Sequence, residues 1–208
     1  YFWNHWRGSD TLIYKDEHRL YLESPLKHYI KHDQHLQDQA DSLLDGWRQG
    51  LLTTDQVFDI EKLAWQYAIS DLCATHHSLR WHNNRWYFNP DSELLEPVGF
   101  DGSGWGEIEH LAIEHPKQLI QIQERLKSSQ KFISAYQENL RAVSSKEFLD
   151  EFLARHKADI DELTRCLYDL DLLHKNRFDQ LYGNQQIILS KLDSIEMILK
   201  RRESVKPT

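Results

Sequence analysis

The stretch HHSLRWHNNRWYFNPDSELLEPVGFDGSG, residues 76–104, gathers His76, His77, His82, Asn83 and Asp101 into one short part of the chain. Imidazole, amide oxygen and carboxylate together could hold zinc, calcium, a phosphate or a magnesium nucleotide. Zinc fits poorly, because the three histidines match neither HExxH nor any standard Cys/His spacing. With 12 histidines in the chain, a chance cluster is easy. A calcium loop counted from Asp101 needs oxygen ligands at its third, fifth and twelfth positions. The fifth is Trp105 and the twelfth Ala112, so that reading fails. Gly102, Gly104 and Gly106 follow a strand-like run and precede a helical one, a setting that suits anions. Their spacing is GxGxG rather than GxGxxG, and no βαβ unit surrounds them. On this feature alone they read as a flexible turn.

Phosphoryl transfer remains. It needs Mg²⁺ held by hard oxygen ligands, a carboxylate and an amide oxygen, beside the nucleotide phosphates. In protein kinases these are an Asn at the end of the catalytic loop and the Asp of an Asp-Phe-Gly segment, joined by a hairpin. Here Asn83 ends an irregular loop, a hairpin-like segment follows, and Asp101-Gly102 ends it. The plain alternative is that Asn83 caps a turn and Asp101 opens a loop, as both residue types often do. The residues alone leave the two readings level.

The elements that would position these residues are legible from periodicity. Thr11–Glu23 reads as two short strands, and Ser24-Pro25 as a helix start. Leu26, Tyr29, Ile30, Leu36, Ala40, Leu43, Leu44 and Trp47 recur at helical spacing up to Gly50. Thr53 and Gln56 form a capping-box pattern for a second helix running to about His76. The period then changes. Arg85–Phe88 and Leu94–Val98 read as strands around the turn Asn89-Pro90-Asp91-Ser92, with Pro97 at an unpaired edge. After Gly106 the chain reads as helical: from Pro116 to about Val143, from a Ser144/Glu147 capping box to about Leu173, and from Asp179 to about Arg201. The apolar spacing of Phe148, Leu149, Phe152, Leu153, Ile160, Leu163 and Leu167 predicts that these helices pack on something. The fold class expected is mainly α with a small β-hairpin, in a single domain over residues 1–208, with residues 1–24 as the end of a preceding lobe or a linker.

A chain of 208 residues, 40% hydrophobic and 28% charged, has enough apolar content for a globular core. A net charge of -8 argues against a general nucleic-acid binder and against adsorption on anionic lipid. No apolar run is long enough to span a bilayer. The start YFWNHWRGSD carries neither a signal-peptide pattern nor an initiator Met, so the expectation is a fragment or processed product. Cys73 and Cys166 form no CxxC and read as small buried hydrophobes.

The middle of the chain resembles the CotH family of atypical, secreted-kinase-like proteins. The resemblance rests on F-D-x-E-x-L-A at Phe58–Ala64, W-H-N with an aromatic strand at Trp81–Phe88, N-P at Asn89-Pro90, L-E-P at Leu95–Pro97 and G-F-D at Gly99–Asp101. LYGNQQIILSKL, from Leu181, is similar to that family's closing helix. The resemblance spans roughly residues 22–192 and is specific in its middle. It implies a kinase-like C-terminal lobe using ATP with Mg²⁺ or Mn²⁺, a protein or other hydroxyl acceptor, and an extracytoplasmic or bacterial cell-envelope setting. By position, Asn83 and Asp101 become the cofactor and metal ligands.

Two departures from a kinase matter. The catalytic Asp would stand five residues before that Asn, and here the position is Ser78, preceded by His77. The small lobe with its ATP-contacting Lys has no counterpart, so the N-terminal part of the same protein is the expected partner and the fragment alone is expected to be inactive. If the protein turns over, His77 is the expected base, since a neutral imidazole accepts a proton near physiological pH; His76 and His82 are the fallbacks. His77 could instead simply hydrogen-bond the loop. The Ser78 departure keeps a second class open: a non-catalytic, pseudokinase-like helical interaction module.

Overall fold

The structure is a computed structural model and describes residues 34–80, 83–102, 104, 106–114, 120–170 and 177–203. The expected strands in Thr11–Glu23, the Ser24-Pro25 helix start and His82 lie outside the described residues. Those that are described form helices α1 (Gln34–Gln49), α2 (Thr54–Val57) and α3 (Ile60–Leu72), then strands β1 (Arg85–Asn89) and β2 (Leu94–Val98). Helices α4 (Ile120–Ser128), α5 (Gln130–Ser144), α6 (Lys146–Arg155), α7 (Lys157–Leu170) and α8 (Phe178–Glu203) follow. Short 3₁₀ turns occupy His76–Leu79 and Ala112–Glu114. Among the described residues the chain is mainly helical with a small two-stranded hairpin, as expected.

The core is built where α5 packs between α3 and α8. Leu63, Ala64, Tyr67 and Ala68 face inward from α3. Phe132, Ile133, Tyr136, Leu140 and Val143 do so from α5, and Leu181, Ile188 and Ile195 from α8. These positions recur every three, four or seven residues, so each helix turns one stripe to the others. Tyr67 meets Phe132 edge-on with ring centroids 5.4 Å apart. Full burial of each large apolar side chain contributes about 1.5–3 kcal/mol.

Three of the expected helices are broken. The segment from Thr53 does begin with Gln56 accepting the Thr53 backbone N–H at 2.9 Å. It stops at Phe58, which is extended at φ -117°, ψ 145°. Phe58 bridges to Leu95 of β2, the Asp59 N–H donates to the Leu95 carbonyl at 3.0 Å, and Asp59 then caps α3. Tertiary pairing with the hairpin therefore overrides helix continuation. The Pro116 helix breaks at Ser129, whose side chain accepts the Phe132 N–H and caps α5. In the next helix the cap is Ser145, not Ser144. Ser145 accepts from Phe148 N–H, while Ser144 ends α5 with its hydroxyl donating to the Arg141 carbonyl. That helix also ends early, at Arg155, and α7 follows.

Two further expectations need correction. Cys166 is exposed, and only Cys73 is partly buried; both thiols are free. Of the apolar stripe expected to pack, Leu149 is buried, but Phe152, Leu163 and Leu167 are exposed. No described helix is long and apolar enough to cross a membrane.

The hairpin forms where expected, and its register sets Phe88 opposite Leu95 and Trp86 opposite Pro97. Asn89 starts the turn by accepting the Asp91 N–H on its side chain at 2.9 Å. Among the described residues the sheet has two strands, and β2 is bridged on its outer side only at Leu95, which is how Pro97 is accommodated. The hairpin is fastened to the junction of α2 and α3 by Trp86 against Phe58, ring centroids 4.6 Å apart. Lys62 also fastens it, reaching Glu96 at 2.7 Å and Asp59 at 3.2 Å.

Lys62, and then the Asn89 amide, hold the Glu96 carboxyl below its ordinary value of 4.5. A depressed carboxylate stabilises the fold above its unfolded value and loses that contribution as pH falls through the folded value. Glu96→Gln should therefore be less stable than the parent at neutral pH, with the gap closing as pH drops below 4.5. Urea unfolding of both proteins at several pH values checks this; a gap that widened in acid would contradict it.

Candidate functional site

The site begins where α3 ends. After Leu72 the chain passes through Ala74 at φ 53° and turns into the His76–Leu79 3₁₀ segment. The Arg80 carbonyl then accepts from both Asn83 N–H (2.8 Å) and Asn84 N–H (3.1 Å), which fixes the end of the loop. On the other side, β2 runs out through Gly99 to Asp101, whose own backbone sits at φ 49°. A non-glycine residue there carries backbone strain that the surroundings must hold.

These two excursions converge. The Asp101 Oδ2 lies 3.0 Å from His77 Nε2, and the same oxygen accepts from Asn83 Nδ2 at 3.2 Å. Asn83 Nδ2 also donates to the His77 carbonyl at 2.9 Å. A carbonyl only accepts, so this bond fixes which end of the amide faces the site. Asn83 is buried, whereas the side chains of His77 and Asp101 are 26% and 39% exposed. The structure thus brings His77, Asn83 and Asp101 together, with the amide as floor and the imidazole and carboxylate facing outward.

Of the two fallback histidines, His76 is the one described, and it behaves differently. His76 is buried and its Nε2 lies 2.8 Å from Asp71 Oδ1. Ser78 is also turned inward. Its hydroxyl donates to the Thr75 carbonyl at 2.7 Å and sits 3.5 Å from the Ser70 hydroxyl. Nothing acidic stands at that position.

Sequence reasoning missed two buried residues that hydrogen-bond the segments flanking the site. Asp71 is fully buried on α3 and accepts from His76, from the Ala112 N–H at 2.6 Å and from the Tyr136 hydroxyl. Burial pushes its carboxyl above the ordinary 3.8, and these donors work against that rise. Burial, followed by the neighbouring Asp71 charge, raises the Tyr136 phenol well above 10. Burial, and then the His76 charge, lowers His110, whose ring lies 5.8 Å from that of His76. Asn184 of α8 is the second. Its Nδ2 donates to the Leu72 carbonyl at 3.0 Å and to the Gly106 carbonyl at 2.9 Å, while its Oδ1 accepts the Ile108 N–H at 3.1 Å. An Asp one residue before the end of an apolar helix stripe was the only available signal for Asp71.

Among the described residues no group of three His, Cys, Asp or Glu side chains converges to hold a metal ion. Mg²⁺ does not require one. It is usually held by one or two carboxylates together with waters and substrate phosphates. Asp101 as a half-exposed carboxylate fits that pattern. Asn83 fits it only if its amide turns to present oxygen, since its nitrogen faces Asp101 here.

No family model, curated protein or solved structure matches the chain.

Proposed function

We propose that this chain is the helical, metal-nucleotide-binding lobe of a CotH-like atypical kinase, acting on a protein or other hydroxyl acceptor. Asp101, joined by Asn83 once its amide is turned to present oxygen, would hold Mg²⁺ or Mn²⁺ beside the phosphates of ATP, and the metal would offset charge on the transferring phosphoryl group. The observation that carries the reading is the single Asp101 oxygen shared by His77 and Asn83. Those two residues stand on a loop and Asp101 at the far end of a hairpin, the order a kinase uses for its amide and carboxylate ligands. A carboxylate against one imidazole nitrogen also orients the ring. With Nε2 protonated toward Asp101, His77 carries its lone pair on Nδ1, where it can accept the proton of an acceptor hydroxyl. The upstream part of the same protein would supply the remaining nucleotide contacts.

The non-catalytic module is kept as a second reading because of Ser78. At the position of a kinase's catalytic Asp, this chain has an uncharged hydroxyl committed to the Thr75 carbonyl.

The protein with its upstream part decides between them. Under the first reading, ATP with Mg²⁺ at about a hundred times its dissociation constant stabilises by about 2.7 kcal/mol. Asp101→Ala removes that stabilisation while costing little in the unliganded protein. His77→Gln lowers phosphorylation by about a hundred- to ten-thousand-fold, the usual share of an acid–base group. Binding that survives Asp101→Ala sinks the ligand assignment. Binding without any phosphorylation favours the second reading.

A further inference from the structure

The Asp71 carboxylate is the most deeply placed charge near the site, yet it touches neither His77, Asn83 nor Asp101. Its three partners come from three separate segments. His76 immediately precedes His77 in the loop. Ala112 belongs to the segment that follows Asp101, and Tyr136 to α5. One oxygen, Oδ1, takes both His76 and the Ala112 N–H, so a single atom joins the two segments that carry the site. The second oxygen is fixed by the Tyr136 hydroxyl, which prevents the carboxylate from rotating away.

An apolar residue of similar volume would suffice for packing, and burying a carboxylate is costly unless every lone pair is used. The geometry therefore assigns a task to the charge. We propose that Asp71 is a positioning residue for the His77–Asn83–Asp101 site, fastening the loop that carries His77 and Asn83 to the segment that follows Asp101. Its effect on ligand binding rests on the metal-nucleotide reading above; its fastening role does not.

The test uses the protein with its upstream part and has two readouts. One is the affinity for Mn²⁺ with ATP, read from the electron paramagnetic resonance of free Mn²⁺. The other is amide hydrogen exchange over residues 73–80 and 106–114. Asp71→Asn should weaken Mn²⁺-ATP binding by about tenfold or more, the usual effect of removing an outer support of a metal site. Exchange should rise in those two segments and not along α5 and α8. His76→Gln should act likewise, and the double variant should be no weaker than the worse single one, because both remove the same link. Leu149→Ala, which opens a cavity on α6 away from the site, serves as the control. It should lower the unfolding midpoint and leave Mn²⁺-ATP affinity alone.

Unchanged affinity in both single variants overturns the proposal, as does an equal loss of affinity in Leu149→Ala or a rise in exchange spread evenly over the helices. Should Asp71→Asn fail to fold, His76→Gln decides by the same criteria. If the parent chain itself takes no Mn²⁺-ATP, the metal-nucleotide reading falls. The fastening role is then judged on exchange alone: a rise confined to the two segments keeps it, and an even rise overturns it.

Discussion

Asn184→Leu should cost about 3–6 kcal/mol of folding stability. The side chain is fully buried and satisfies three backbone groups at once: the carbonyls of Leu72 and Gly106 and the N–H of Ile108. Leucine is close in volume, so the cavity term is small and the loss isolates the hydrogen bonds. Each buried polar group left without a partner costs about 1–3 kcal/mol. A domain of this size has only about 5–15 kcal/mol in hand. Urea unfolding gives the answer directly, since a shift in midpoint at constant slope measures the change in stability. Asn184→Asp offers an internal check. It keeps the acceptor for Ile108 N–H but sets an oxygen against two carbonyls, so it should be no better than leucine. A loss below about 1 kcal/mol in both variants would mean that water or a local shift replaces the clamp.

The neighbouring Gln185 shows why α8 carries two consecutive buried amides. Its Nε2 donates to the carbonyls of Val143 and Ser145 at 2.8 and 2.6 Å, at the junction of α5 and α6. One amide closes the helical junction and the other closes the site, in different directions from one turn of helix. A helix can serve two loops in this way only because adjacent side chains point about 100° apart.

How far the sequence discloses these features depends on how local their causes are. The hairpin is legible because its signals are local: β-prone Trp86, Tyr87 and Phe88, and an Asn89 that bonds Asp91 two residues on. The approach of Asn83 and Asp101 is legible for the same reason, since a short hairpin must return its ends to one place; that His77 also meets Asp101 is not, because its direction is set by an irregular loop. The break at Phe58 is not, because it depends on Leu95 pairing from another element. Asp71 is the clearest failure. In sequence it is a polar residue near the end of a helix, and its meaning comes from Ala112 and Tyr136, far along the chain. Asn184 sits in a segment set apart for its likeness to a closing helix, but nothing there says that its amide points at Leu72 and Gly106. The exposed stripe of α7 fails in the other direction, because spacing predicts a face and not what covers it.

Gly104→Ala should be the other severe substitution, and Gly102→Ala should be mild. The three glycines after Asp101 read as one flexible turn, yet their surroundings differ. A Cβ on Gly104 would lie 2.5 Å from the Cys73 carbonyl oxygen and 2.5 Å from Thr75 Cγ2. One of those atoms is backbone and cannot be moved by a rotamer change, so the segment after Asp101 must lift off the end of α3. Overpacking of this kind costs about 1–3 kcal/mol. The same lift draws Asp101 away from His77 and Asn83, so under the metal-nucleotide reading Mn²⁺-ATP affinity falls as well. On Gly102 a Cβ would rest 3.6 Å from Thr75, ordinary contact, and surface changes of that sort stay within about 0.5 kcal/mol. Urea midpoints and Mn²⁺-ATP affinities for both variants separate close approach from mere flexibility. If flexibility were what mattered, the two alanines would behave alike. Adding Thr75→Ser to Gly104→Ala removes the methyl group and leaves the Cys73 carbonyl, so it should recover part of the lost stability and not all of it; full recovery would place the whole clash on the side chain and acquit the backbone.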